Sequence, residues 1–197
     1  MAQAAFGAEY TRFAPFKAKE SKEAAPTYDE IISLGGLVSV TETPNVASGK
    51  LDSDNKETLR KDSMTSYAIA MTTDGLSNKD AATFYGASYD ETTEELGRDP
   101  DDKPPLGGFG YIRNIATEEG EYYKGYFYPK VKAVPTADGA TTKGDNVTYS
   151  TTNVNMTALK AMHRSTKLRV ESKNFDTFEE AVAWLDTKLG KPIESGG

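Results

Sequence analysis

The chain contains no cysteine, so structural disulfides, thiolate nucleophiles and cysteine-bound zinc are closed to it. It has one histidine, His163, in "KAMHRSTK". With no second imidazole or thiol to share a proton or a metal ion, a lone histidine among basic neighbours reads as a solvated side chain. The residue types of a Ser-His-Asp triad are present, but the Gly-x-Ser-x-Gly elbow that would expose a nucleophilic serine is missing. No apolar run approaches the ~20 residues that a membrane-spanning helix needs. "MAQAAFGAEYTRF" has no basic stretch followed by an apolar one, so no signal peptide is expected. Positive charge is also scarce: 23 Lys and Arg stand against 30 Asp and Glu, for a formal net charge of -7. Non-specific grip on nucleic acid neutralises phosphates with Lys and Arg, and this balance has the wrong sign for it.

What the chain does have is tyrosine and phenylalanine, 11 and 8 in 197 residues. That is enough aromatic surface for one packed domain with a core of its own. Residues 1–36 read as an extended lead-in broken by Pro15, Pro26 and Gly35-Gly36, with a short strand in "AEYTRFAPF". "LVSVTET" (37–43) is β-branched and bounded by Gly-Gly and Pro44, which predicts a strand. Residues 44–63, "PNVASGKLDSDNKETLRKDS", are polar, charged and without apolar periodicity, and so read as a long loop. In "MTSYAIAMT" (64–72), Tyr67, Ile69 and Met71 alternate with Ser66, Ala68, Ala70 and Thr72, the period of a half-buried strand.

"SNKDAATFYG" (77–86) carries helix punctuation, with Ser77 as N-cap and Gly86 to close the end. Residues 88–107 form a second long loop, acidic and rich in Pro and Gly. "FGYIRNIATEEGEYYKGYFYPKVKAV" (109–134) reads as a long hairpin turning at Glu118-Glu119-Gly120. "NVTYSTTNV" (146–154) and "TKLRVESK" (166–173) are further strand candidates. "DTFEEAVAWLDTKLG" (176–190) is an amphipathic helix with Asp176 as N-cap, Glu179 three residues on, and Phe178, Ala181, Val182, Trp184 and Leu185 toward the core. Gly190 and Pro192 end it. The fold class expected is mainly β, a sandwich closing toward a barrel with two flanking helices and long loops.

Motifs that would carry chemistry fail on inspection. "DSDNKETLRKDS" (52–63) begins like a calcium loop with Asp52 and Asp54, but has Glu57 where the sharp turn needs Gly and Ser63 where a bidentate Glu belongs. The acids of 88–102 sit in a Pro/Gly-rich segment, not on a rigid cleft that would hold two carboxyls ~5–10 Å apart for glycoside chemistry. "GKLDSD", "TKGDN" and "LGGFG" make neither a P-loop nor a dinucleotide fingerprint. No enzyme, metal site or cofactor is expected. Lys160, Arg164, Lys167, Arg169 and Lys173 form a basic cluster that reads first as a solvated strand face. A second reading sets it against the acidic 88–102 of another copy, where complementary charge would fix register.

Several stretches, "YTRFAPF", "PTYDEIISLGGLVSVTETPNVASGKLDSDN", "YYKGYFYPKVKAV", "TKGDNVTYSTTNV" and "FDTFEEAVAWLDTKL", occur in an order that resembles the major tail proteins (tail tube proteins) of long non-contractile tailed bacteriophages. "YPKVK" followed by "TKGD" is the most specific part, and 88–107 matches no part of the pattern. The resemblance spans most of 6–190. It implies a single tail tube domain over 1–197, six copies per ring, and rings stacked into a tube around a tape-measure protein, in contact with other tail proteins. The tube would conduct double-stranded DNA without specific binding and without a membrane. The chain would reside in the virion tail tube, and in the host cytoplasm during assembly.

By the same resemblance, the segment holding Pro44, Asn45, Gly49, Lys50, Asp52, Asp54 and Lys56 would bridge adjacent rings. The hairpin 109–134 is then expected to line the lumen, with Tyr126, Tyr128, Pro129, Lys130 and Lys132 against the neighbouring subunit. An acidic lumen would let DNA slide. Pro129, lacking a ladder donor, is expected at a bulge or an edge. The competing expectation is a carbohydrate- or partner-binding β-sandwich module of a virion or cell surface, using Tyr122, Tyr126 and Tyr128 as an exposed aromatic face.

Overall fold

A computed structural model describes residues 3–53, 56–136 and 151–191, with side chains at 4–49, 61–136 and 151–191. Its strands are β1 (Gln3–Pro15), β2 (Ile32–Ser33), β3 (Leu37–Ser53), β4 (Lys56–Thr73), β5 (Ser88–Asp90), β6 (Glu95–Gly97), β7 (Leu106–Thr117), β8 (Gly120–Val134), β9 (Thr152–Leu159) and β10 (Val170–Glu171). Its helices are α1 (Asn78–Tyr85) and α2 (Phe178–Lys188). One antiparallel sheet runs β2-β1-β7-β8-β9-β4-β3, with β10 added to β8. The sheet coils until β3 lies back near β1. There the Thr11 hydroxyl donates to the Gly35 carbonyl at 2.7 Å. The fold is mainly β with two helices, as expected for a β-sandwich.

Alternation along the strands builds two cores on opposite faces of the sheet. Inside the coil lie Phe13, Ile69, Met71, Phe109, Tyr111, Tyr128, Val131, Val154 and Met156, joined by Phe84 from α1. Phe13 and Phe84 meet edge to face at 5.0 Å, a geometry that adds to simple burial. Outside, α2 lays Ala181, Leu185 and Leu189 over Ile112 and Phe127 of the β7–β8 hairpin. Two glycines admit it. A Cβ on Gly110 would stand 2.2 Å from a Leu185 methyl, and one on Gly125 would stand 2.5 Å from the Trp184 ring.

The β7–β8 hairpin turns through Gly120, whose φ of 148° suits glycine. Its ladder is interrupted once. Gly107 pairs with Val131 and Phe109 with Tyr128, so Pro129 and Lys130 together oppose Gly108. Pro129 therefore sits in a β-bulge, where a missing N–H costs no ladder bond. The bulge also resets the alternation. Tyr126 and Tyr128 before it and Val131 and Ala133 after it all face the inner core.

Several boundaries differ from those read in the sequence. The lead-in holds a strand of 13 residues, β1, paired along β7. The acidic segment 88–107 contains the small hairpin β5–β6, with Asp90 capping it by accepting from Thr92 N at 2.7 Å and Thr93 N at 3.2 Å. These backbone donors hold the Asp90 carboxyl below its ordinary range. Of the candidate 166–173, only Val170–Glu171 is strand, and β9 begins at Thr152; the 146–150 part of that candidate lies outside the described residues. The N-cap of α2 is Thr177, not Asp176. Its hydroxyl accepts from Glu180 N at 3.3 Å, one residue along from the Asp176/Glu179 pair, because Asp176 and Thr177 are both competent caps. Pro192 lies outside the described residues.

The largest correction concerns 44–63. Residues 44–53 and 56–63 are strand rather than loop: β3 and β4 pair from Leu37↔Thr73 out to Ser53↔Lys56. Backbone pairing joins the two strands of the outer ribbon, and backbone pairing needs no apolar period in the side chains.

Candidate functional site

From Pro44 to Gly49 on β3, and from Lys61 to Thr65 on β4, every side chain is exposed. A ribbon wet on both faces there, and with no third strand among the described residues, is marginal by itself in water. At ~3.3 Å per residue, Asn45 to Ser53 gives an arm about 30 Å long. Its one described apolar feature is the cross-strand pair Val46↔Met64, 54% and 49% exposed. The expected bridging residues Pro44, Asn45 and Gly49 lie exposed on this arm. Lys50 and Asp52 lie on β3 and Lys56 opens β4, while Asp54 is outside the described residues.

The root of the arm is specifically built. Asn45 pairs with Ser66 but Val46 with Met64, leaving Thr65 as an extra residue. This bulge bends the ribbon where it leaves the body. The Thr65 hydroxyl donates to Asn45 O at 3.1 Å and Asn45 Nδ2 to Ser66 Oγ at 2.9 Å.

Two positions below Pro44, Glu42 turns into the coil with its side chain only 6% exposed. The hydroxyls of Tyr111 and Tyr128 each donate to its Oε1 at 2.5 Å. Arg113 donates to Oε2 at 3.1 Å and Arg169 at 3.2 Å. A carboxylate taken out of water needs such donors. Burial first, and then Glu42 through its charge and the hydrogen bond it accepts, push both tyrosines above their ordinary range. Arg113 also stands over the Tyr126 ring at 4.6 Å and Arg169 over Tyr67 at 5.1 Å. Arg169 reaches on to Glu171, whose carboxyl is held low by Lys124 at 2.6 Å. The partners of Glu42 lie 69, 71, 86 and 127 positions away, so local sequence pattern gave no sign of the cluster.

The strand expected to face a neighbouring subunit is spent on the body instead. Tyr126 and Tyr128 are 8% and 0% exposed, and Pro129 is buried, with its carbonyl accepting from the Tyr28 hydroxyl at 2.8 Å. Lys130 forms a nearly buried ion pair with Glu20 at 2.5 Å. Of that set only Lys132 is exposed. The β7–β8 hairpin has the inner core on one face and α2 on the other, so it offers no free face for a channel wall. Among the described residues, the sheet face without a helix belongs to β3, β4 and β9, where Thr41, Thr43, Ala68, Ala70 and Asn153 are exposed. Glu42 is the one charged residue within 37–43, 66–73 and 152–159, and it points inward.

Of the basic cluster, Arg164 and Lys167 are exposed, Lys160 donates to the Thr166 carbonyl, and Arg169 is drawn into the Glu42 site. His163 is half-buried, its Nδ1 3.1 Å from Thr166 Oγ1. Among the described residues no group of three His, Asp or Glu side chains could hold a metal, and no helix is long and apolar enough to cross a membrane. A cavity of about 1240 Å³ opens between α1, β5–β6 and the β9 end, lined by Tyr85, Tyr89, Asp90, Glu94, Arg98 and Asn153.

No protein-family model matches the chain, and no curated protein matches it.

Proposed function

We propose that the chain is a self-assembling structural subunit of a phage tail tube, in which six copies close a ring and rings stack. The observation that carries this reading is the β3–β4 arm, a two-stranded ribbon whose described side chains, at 44–49 and 61–65, are all exposed. A partner surface supplies the burial that such a ribbon lacks.

Open strand edges support the same reading. Among the described residues β3 ends the sheet, and β2 covers only Arg12 and Phe13 of β1. Unpaired edges pair with other chains unless something blocks them. A head-to-tail edge contact whose rotation closes makes a ring.

In such a ring, the channel wall falls to the uncovered face of β3, β4 and β9. That face is neutral rather than acidic. It offers threonine, alanine and asparagine with no row of cations, so passing DNA meets no phosphate ligands.

Electron microscopy of the purified chain, dilute and concentrated, with mass from light scattering, tests the proposal. Rings or tubes with six-fold end views are expected. A monomer at every concentration whose arm amides resist hydrogen exchange would remove the argument from the arm.

The open cavity favours one rival, a carbohydrate-binding module, because Tyr85 and Tyr89 stand there beside carboxylates and an amide. The buried Tyr126 and Tyr128 no longer serve that rival. Glycan-array binding by the monomer, abolished by Tyr89→Ala, would favour it.

A further inference from the structure

We propose that Glu42 is the positioning residue that sets the direction in which the β3–β4 arm leaves the body; its use in assembly rests on the reading of the arm as the element a neighbouring copy receives. An arm whose described side chains are exposed takes its direction from its root. Two devices meet there. The Thr65 bulge bends the ribbon between Asn45 and Val46, and a bulge by itself permits a range of bends.

Three residues before the bulge, the Glu42 carboxylate is gripped from three separate parts of the body. Tyr111 and Arg113 come from β7, Tyr128 from β8 and Arg169 from the segment leading into β10. Four donors converging on two oxygens fix both the position and the rotation of β3 at this point. Charged hydrogen bonds resist displacement better than apolar contacts, which slide. On the far side of the ladder, Tyr67 on β4 pairs with Pro44 and lies under Arg169. The same guanidinium thus steadies both strands of the ribbon.

A pre-aimed arm loses less freedom when it docks, and the saving appears as faster and tighter association. A loosely hinged arm would present the binding-competent direction only part of the time and weaken docking by that fraction. Glu42 on this account does not touch the partner. It acts through the arm.

The absence of cysteine makes the test direct. Spin labels on Ser48→Cys and Glu121→Cys report arm against body, and labels on Glu121→Cys and Arg164→Cys report the body alone. Electron–electron resonance distances are measured in dilute, unassembled protein. With Glu42→Gln, the arm-to-body distribution is expected to broaden while the body pair keeps its width.

The double variant Tyr111→Phe/Tyr128→Phe keeps both rings and both arginines but removes two donors. It is expected to broaden the arm distribution less, and it carries the test if Glu42→Gln does not fold. An unchanged arm distribution in whichever variants fold would overturn the proposal and reduce the cluster to satisfaction of a buried carboxylate. If the unaltered chain never polymerises, the tube reading falls, but the distance result still decides the role of Glu42.

Discussion

Gly110 and Gly125 decide how close α2 lies to the sheet. At Gly110 a methyl would meet a buried Leu185 methyl at 2.2 Å and the Tyr126 carbonyl at 2.7 Å, and neither can retreat without moving the helix or the ladder. Gly110→Ala is therefore expected to destabilise the fold by about 1–3 kcal/mol, as overpacking does. At Gly125 the obstacle is the rim of the half-exposed Trp184, a side chain with room to swing. Gly125→Ala should cost less and shift the emission of Trp184, the one tryptophan. Chemical denaturation followed by fluorescence checks both; equal losses would mean that the helix, not the side chain, yields at each site. Tyr28, Tyr111 and Tyr128 carry a second residue-scale consequence. Burial first, and Glu20 or Glu42 second, raise all three above the ordinary range. The folded chain holds these protons more tightly than the unfolded chain, whose tyrosines ionise near ~10. Their contribution is complete below that pH and is lost as pH rises from there toward the folded values. Tyrosinate absorbance of these three should appear together with loss of the far-ultraviolet signal, and Tyr128→Phe should make the alkaline decline shallower. Ionisation of all 11 tyrosines in a chain that remains folded would contradict this.

At the scale of elements, the shifted cap of α2 separates two side chains with the same sequence credentials. Thr177→Ala should cost about 1 kcal/mol, the usual value of a lost N-cap. Asp176→Ala should cost only a few tenths, through the helix dipole. Thermal melts of the two variants rank them, and the reverse order would restore Asp176 as the cap. The elements legible in the sequence are those in which a local pattern and a burial pattern coincide. Ser77 and Gly86 bracket α1 as read, Tyr67, Ile69 and Met71 face inward as their alternation predicts, and the hairpin read at 109–134 is present, starting earlier at Leu106 and turning at Gly120. The arm was illegible because ladder hydrogen bonds are made by the backbone and leave no trace in side chains that, at 44–49 and 61–65, face water on both sides. The tyrosines of β8 misled for a related reason. Tyrosine suits an interface and a core equally well, and only the bulge at Pro129, with its reset of alternation, shows that Tyr126 and Tyr128 share the inner face with Val131 and Ala133. The Glu42 cluster needs four distant segments to meet, so only the folded chain reveals it.

For the whole molecule, the arm divides the chain into a body that folds by burying two cores and a ribbon whose described side chains are exposed. The two parts should therefore be separable. Replacing 48–62 with Asn-Gly joins Ala47 to Ser63, neighbours across the ladder, through a two-residue turn of the type hairpins favour. The shortened chain loses none of the described core residues and keeps Glu42 with its four donors, so its melting temperature should stay close to that of the full chain. If the arm bridges rings, this variant should still present the open edges of β1 and β3 and close single rings, yet fail to stack them. Added in small proportion to the full chain, it should shorten tubes, because each incorporated copy removes one arm from the growing end. Tube length distributions from negative-stain images, read against the fraction of armless chain, measure this directly. Full-length tubes at every mixing ratio would show that the arm does not bridge, and the contact that stacks the rings would then have to lie on the folded body itself.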